Sequence, residues 1–394
     1  MQEPLKVLMM GGRRCGKTSA LASLFNEMKN GPVQNYFTVA DRTVLETKGF
    51  ETQDSLSNKT LELQNMLFEN RHNSNIFLVD QHPTENFWLY KLHIQIPGTK
   101  REMDIEFRDS AGEFFEASGV HAEETKNYIS DCDVFVIVVD TPYLMGSVGD
   151  ETKVLCNEAI NNGTNRVNDI QDFLTHIDDN DGQDAKMVVF VPLKCEKWMK
   201  ENRIGEVVER IKKVYATTIK NLKAYSKMHI SIIPMLTSGN ILFSEFRRAM
   251  IYNDVDGTKR CCRISDDIIR LENGDNEMVL DNSKVKDDPN AIIAGTTLMR
   301  PYAWYHVNPE DGSYAPMNCD QLPLHILRFM LAKLFDAETR THSGFGGFFL
   351  NLINRLKRLF GSIDPKELQQ KIFKMQQDGI IKDNVDGIEV IKRF

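Results

Sequence analysis

Short, unbroken apolar runs alternate with segments of helical period through residues 1–240. Leu5 to Met10, Asp133 to Val139, Met187 to Val191 and His229 to Met235 are the runs. With no polar residue at every second position, such runs predict strands covered on both faces, as in a parallel sheet. Ser19 to Lys29 and Ile204 to Lys227 place apolar residues at helical spacing, and Asn30-Gly31-Pro32 stops the first of them. Glu102 to Arg108 alternates like a strand, and Phe87 to Ile96 reads as the strand before it. Strands and helices in alternation predict an α/β fold, with a mostly parallel central sheet flanked by helices.

Two segments interrupt that rhythm. Residues 45–73 carry Leu56, Leu63, Met66 and Leu67 at helical spacing, which predicts a helical insertion over about 40–75. Residues 241–316 lack helical period, and Asn273-Gly274-Asp275 and Pro309-Glu310-Asp311-Gly312 punctuate strand-like runs, so this is read as a β-rich insertion. Its Tyr302, Trp304 and Tyr305 suit a core or a binding face. Gln321 to Ala337 then reads as the last helix of the core that residues 1–240 begin, with His325 in a structural place. Residues 338–394 predict an amphipathic helix, a second helix and a hairpin. In the first, Phe349, Leu352, Ile353, Leu356, Leu359 and Phe360 share a face opposite Asn351, Asn354, Arg355, Lys357 and Arg358. That face could pack on its own domain, or the 348–360 helix could meet an anionic membrane or a partner groove. Asp364-Pro365 with Glu367 opens the second helix, and the hairpin is expected around Asn384 to Gly387.

Composition narrows the setting. The 394 residues are 41% apolar and 26% charged, as in a globular protein, and the net charge of −8 argues against general nucleic-acid binding. Seven cysteines without paired metal spacing, and no N-terminal signal-like run, suit a reducing cytoplasm. No apolar stretch approaches the ~20 residues that a membrane span needs.

The most specific chemistry lies at Gly11-Gly12-Arg13-Arg14-Cys15-Gly16-Lys17-Thr18, between the first strand and the first helix. This is the phosphate-binding loop G-x-x-x-x-G-K-[ST] in its required context. Its backbone N–H groups and the helix start, through Ser19, would cradle phosphates. Lys17 would reach the β- and γ-phosphates, and the Thr18 hydroxyl would ligate Mg²⁺. The strand Glu102 to Arg108 runs into Asp109-Ser110-Ala111-Gly112-Glu113. Asp109 is placed to hold Mg²⁺ directly or through water, and the Gly112 N–H to bond a γ-phosphate as a switch.

With these motifs the chain resembles the Ras-like and translation-factor class of GTPases over about residues 1–240. The resemblance implies a P-loop NTPase fold, GTP and GDP as ligands with Mg²⁺, and hydrolysis of the β–γ phosphoanhydride. It maps the base-reading motif onto Leu193-Lys194-Cys195-Glu196, with Lys194 along the base and Glu196 in place of the usual Asp. Ser238, in Thr237-Ser238-Gly239, would offer its N–H to the guanine carbonyl. Thr84 is the candidate for the threonine that closes over Mg²⁺. The long first insertion and the Pro192-Leu193-Lys194-Cys195-Glu196 sequence also resemble double-GTPase-type domains of bacterial conflict and defence systems.

Three departures bear on activity. Leu193 cannot make the bridging hydrogen bonds of the class's Asn, which keeps an ATPase open. Arg13 and Arg14 could act as arginine fingers in cis or point to solvent. Glu113 stands where a Gln often orients the attacking water, and a carboxylate there implies slow hydrolysis or dependence on a protein effector or activator. A nucleotide-gated scaffold with negligible hydrolysis is the alternative outside enzymes.

Overall fold

The computed structural model describes residues 3–12, 15–42, 56–71, 76–77, 88–109, 122–146, 158–175, 185–225, 227–253, 259–265, 268–271, 277–279, 296–342 and 346–393. The first half builds β1 (Leu5–Met10), α1 (Lys17–Asn30), β2 (Thr38–Asp41), α2 (Leu56–Asn70), β3 (Ile76–Phe77), β4 (Trp88–Gln95) and β5 (Glu102–Asp109). There follow α3 (Ala122–Asp131), β6 (Val134–Asp140), α4 (Thr141–Met145), α5 (Glu158–Asn165), α6 (Val167–Leu174) and β7 (Lys186–Leu193). Next come α7 (Glu196–Lys200), α8 (Ile204–Val214), α9 (Ala216–Ala224) and β8 (Met228–Ile232). The helical pattern expected over 204–227 is thus broken at Tyr215, whose buried ring packs on Phe190 at 5.1 Å.

The main sheet has the order β8-β7-β6-β1-β5-β4-β2, with a last strand, β14 (Glu389–Lys392), beyond β8. Pairings from β5 through β8 are parallel, and β2, β4 and β14 join antiparallel. Every residue of β6 and β7 is buried, as uninterrupted apolar runs require when helices cover both faces. Alternate residues of β1 serve the two layers. Leu5, Val7 and Met9 face the core beneath α1, whereas Leu8 and Met10 face the one formed with α8 and α9.

A second sheet comprises β9 (Ile241–Asn253), β10 (Lys259–Ser265), β11 (Ile268–Leu271), β12 (Glu277–Val279) and β13 (Thr296–Val307), in the order β12-β11-β10-β9-β13-β3. Its outermost member comes from just after the first insertion: Ile76 and Phe77 pair with Tyr305 and Trp304. The helix expected in the first insertion is α2, and this short strand follows it. Trp304 and Tyr305 are buried, Tyr305 meeting Phe243 edge-on, so these two aromatics belong to the interior rather than to a binding face.

The chain closes through α10 (Gln321–His342), α11 (Gly346–Leu359) and α12 (Pro365–Gln377). On and just after α11, Ile353, Leu356, Leu359 and Phe360 are buried in the same core as β1 and α10. Part of the opposite face is also engaged, with Arg355 on Asp133 at 3.4 Å and Lys357 on Glu338 at 2.9 Å. Asp364 caps α12 by accepting from the Lys366 N–H at 2.9 Å. The hairpin expected over 380–394 is not formed among the described residues. Only Glu389–Lys392 is a strand, and its partner is β8, because the open side of that strand offers a ladder that no local turn had to supply. His325 is buried, with Nε2 3.0 Å from the Lys382 carbonyl. No helix among the described residues is long and apolar enough to cross a membrane.

Just before β6, Asp133 is 2% exposed and accepts from Lys333 of α10, itself 2% exposed, at 3.2 Å. Burial alone would raise the Asp133 carboxyl, but Lys333, Arg355 and Lys186 hold it below its ordinary range. Removing one partner strands a buried charge. Lys333→Met should lower unfolding free energy by about 3 kcal/mol in urea titrations, and adding Asp133→Asn should recover most of the loss.

Candidate functional site

The loop from Gly11 to Gly16 leaves the end of β1 and enters α1 through Gly16, whose φ of 100° suits glycine and puts the chain into the helix at Lys17. Gly12 has a different constraint: a Cβ there would lie 1.8 Å from the Thr164 carbonyl oxygen. Lys17 is 7% exposed, and its Nζ donates to the carbonyls of Gly11 and Gly12, both at 3.2 Å. The ammonium thus lies within the loop. Cys15 is buried, which pushes its thiol up against the pull of Lys17 and Lys194. It is a packing residue of the loop and not an activated thiol. Ser19 is half-buried in the first turn of α1. Arg13 and Arg14 lie outside the described residues.

Parallel pairing sets Asp109 at the end of β5 opposite Met9. Asp109 is fully buried, and its Oδ2 accepts from the Thr18 hydroxyl at 2.6 Å. Burial raises its carboxyl above the ordinary range, opposed by Lys17 and by the Thr18 hydrogen bond. Its Oδ1 has no hydrogen-bond partner among the described residues. A hydroxyl and a carboxylate with a spare oxygen, beside a phosphate loop, are hard donors that fit Mg²⁺. Thr84, Gly112 and Glu113 lie outside the described residues.

The end of β7 carries the third group. Lys194 has a left-handed backbone, φ 58°, and its Nζ meets Asp140 Oδ2 at 2.5 Å. Glu196 opens α7, is 2% exposed, and accepts from the Ser238 hydroxyl through Oε1 at 3.3 Å. Its Oε2 has no hydrogen-bond partner among the described residues. Burial pushes the carboxyl up to about 6, although the N–H groups of Glu196, Ser238 and Gly239 and the Ser238 hydroxyl draw it down. Lys194, Glu196 and Ser238 are thereby brought together. Ser23 of α1 ties this corner back to the phosphate loop by donating to the Thr237 carbonyl at 2.6 Å.

Sequence reasoning missed Asp140 and Asn165. Asp140 is the polar residue ending the run Val134 to Val139, 1% exposed, with burial raising its carboxyl and Lys194 opposing. A carboxylate closing an all-apolar strand was the available signal. Asn165 offers none, since an asparagine between two helical patterns reads as a turn. The arrangement can bind a polyphosphate at the loop, hold a hard cation between Thr18 and Asp109, and offer a buried carboxylate to paired N–H donors.

A family model described as Double-GTPase 2 matches residues 7–238. No curated protein matches. Among solved structures, the chain is similar to the signal recognition particle receptor SRb-GTP/SRX complex from Chaetomium thermophilum. The identity is 12%, over 60% of this chain and 92% of that chain, with a TM-score of 0.32. It is also similar to the S. cerevisiae Ski7 GTPase-like domain bound to GDP and inorganic phosphate, at 11% identity over 79% of this chain and 72% of that one, with a TM-score of 0.30. The same domain bound to GTP matches at 11% identity, with a TM-score of 0.32. At these TM-scores the likenesses carry no weight for function.

The Gly12 contact gives a direct check on the loop. A methyl group there must displace the Thr164 backbone, so Gly12→Ala should cost about 1–3 kcal/mol of stability in denaturant titration. An unchanged midpoint would mean that the loop does not pack against Thr164 in solution.

Proposed function

The chain belongs to the double-GTPase 2 family and is a P-loop GTPase; from that premise we propose that it is a Mg²⁺-dependent switch that hydrolyses GTP slowly without a protein partner. The observation that carries the reading is the meeting of Lys17, Thr18 and Asp109 at one mouth of the sheet. Support for guanine comes from Glu196, whose buried carboxylate can accept from both N1–H and the 2-amino group of the base. Adenine presents no such pair of donors.

In the proposed reaction water attacks the γ-phosphorus, the bond to the β–γ bridging oxygen breaks, and GDP and phosphate result. Lys17 binds the β- and γ-phosphate oxygens, and the loop N–H groups hold the chain of phosphates in line. Thr18 and Asp109 would hold Mg²⁺, which when bound would offset negative charge on the phosphates. Glu113 would have to orient water while repelling the triphosphate, so hydrolysis is slow until a partner or Arg13 and Arg14 add positive charge. Gly112 would sense the γ-phosphate. If single-turnover experiments showed no hydrolysis with tight binding, the nucleotide-gated scaffold would replace the enzyme.

Two experiments test the ligand. Lys17→Ala should keep the fold and lower affinity for a non-hydrolysable GTP analogue by at least about 100-fold in calorimetry, the scale of a charge-assisted contact deep in the site. Wild-type binding by that variant would refute the loop assignment.

The second uses pH. Glu196 has its carboxyl raised to about 6, and a bound guanine favours the ionised form. Guanine preference should be full above about pH 6 and fall as pH drops through it. Reading the ratio of GDP to ADP affinity cancels titration of the phosphates. In Glu196→Gln the ratio should be low and flat with pH; equal GDP and ADP affinity in the wild type would favour the ATPase reading.

A further inference from the structure

The base-reading corner is supported by residues that no motif includes. Asp140 ends β6 in register with Leu193 of β7, and its Oδ2 holds Lys194. Asn165 is fully buried at the end of α5 and engages the Asp140 backbone through both its N–H and its C=O. Its Oδ1 accepts from the Asp140 N–H at 2.7 Å, and its Nδ2 donates to the Asp140 carbonyl at 3.3 Å and to Asn161 Oδ1 at 2.8 Å. The residue before it, Thr164, presents the carbonyl that forbids a side chain on Gly12. A continuous path therefore runs from the phosphate loop through Thr164 and Asn165 to Asp140, and on to Lys194.

We propose that Asp140, held by Asn165, is a positioning residue that stretches Lys194 along the nucleotide base. The proposal rests on the reading of this site as a nucleotide site. Three physical points carry it. A lysine in left-handed backbone conformation persists only when its surroundings over-determine it, and the Asp140 pair supplies that constraint. Anchoring the ammonium at the far end immobilises the four-carbon stem before any ligand arrives, which presents an apolar edge to a planar base without an ordering cost on binding. The Leu193 side chain carries no polar atom with which to tie its loop to neighbouring elements, and Asn165 performs that tie one strand away, through the backbone of the residue paired with Leu193.

The test separates base binding from phosphate binding. Calorimetry with GDP and with inorganic tripolyphosphate is run on wild type, Asp140→Asn, Lys194→Met and the double variant. Asp140→Asn keeps the shape and removes the charge; Lys194→Met keeps the stem and removes the anchor. Each single variant should weaken GDP about tenfold, the double variant no further, and tripolyphosphate affinity should stay at the wild-type value in all three. Wild-type GDP affinity in Lys194→Met overturns the proposal even if Asp140→Asn fails to fold. So do losses that multiply in the double variant, or an equal loss of tripolyphosphate, which would indicate general damage. ADP is measured alongside. Equal GDP and ADP affinity in the wild type would refute the guanine assignment of Glu196 and leave the Asp140 effect to be read on either base, whereas no nucleotide binding at all refutes both.

Discussion

Burying the carboxyls of Asp109, Asp140 and Glu196 at the C-terminal ends of the central strands is the arrangement on which this molecule turns. Withdrawing an ionised group from water is costly unless partners replace the water. Each of the three takes a side-chain partner from a neighbouring element: Thr18 for Asp109, Lys194 for Asp140, Ser238 for Glu196. In each the second oxygen is enclosed without a hydrogen bond among the described residues. Strands as apolar as β6 and β7 force this geography, because their interiors carry no polar side chain and the charged residues collect where the strands begin and stop. The loops that follow must then be packed closely enough to hold three raised or contested charges in place.

α1 distributes that rigidity. It starts at the loop with Lys17 and Thr18, reaches the Thr237 carbonyl through Ser23, and ends near Glu27, whose carboxylate accepts from the N–H groups of Cys319 and Asp320 at 2.5 and 3.1 Å. Those two residues lead into α10, so an acid on one helix serves the start of another. Burial and the neighbouring Asp320 raise Glu27 to about 7, against the two N–H bonds that draw it down. The phosphate loop, the Glu196 corner and the C-terminal helices thus share one rod.

How much of this was legible follows from the range of the interactions. The loop with its flanking strand and helix is written within a few residues, and Asp109 closes its own strand 91 residues further on, so each was readable from local pattern alone. Apolar runs predicted the buried strands because burial on both faces leaves no room for alternation. Glu196 was singled out only through resemblance, since Leu193 breaks the motif. Asn165 was invisible, because its role depends on Asp140 across the sheet. Ile76 and Phe77 were missed for the same reason: two residues make a strand only when β13 lies beside them. The absent hairpin at the C-terminus is the converse case, where Asn384 to Gly387 carry turn chemistry but a distant strand supplied the better partner.

That distant pairing has a consequence for the health of the protein in solution. All five residues of β8 are buried, and without β14 this strand would form the flank of the main sheet. An apolar strand with open N–H and C=O groups is a template on which other copies can add. By laying Glu389 to Lys392 along it, the chain ends the ladder with a short strand carrying Glu389 and Lys392, residues that discourage a further layer. Loss of the last few residues would therefore spare the phosphate loop and its carboxylates and yet leave a molecule prone to aggregate through its exposed flank.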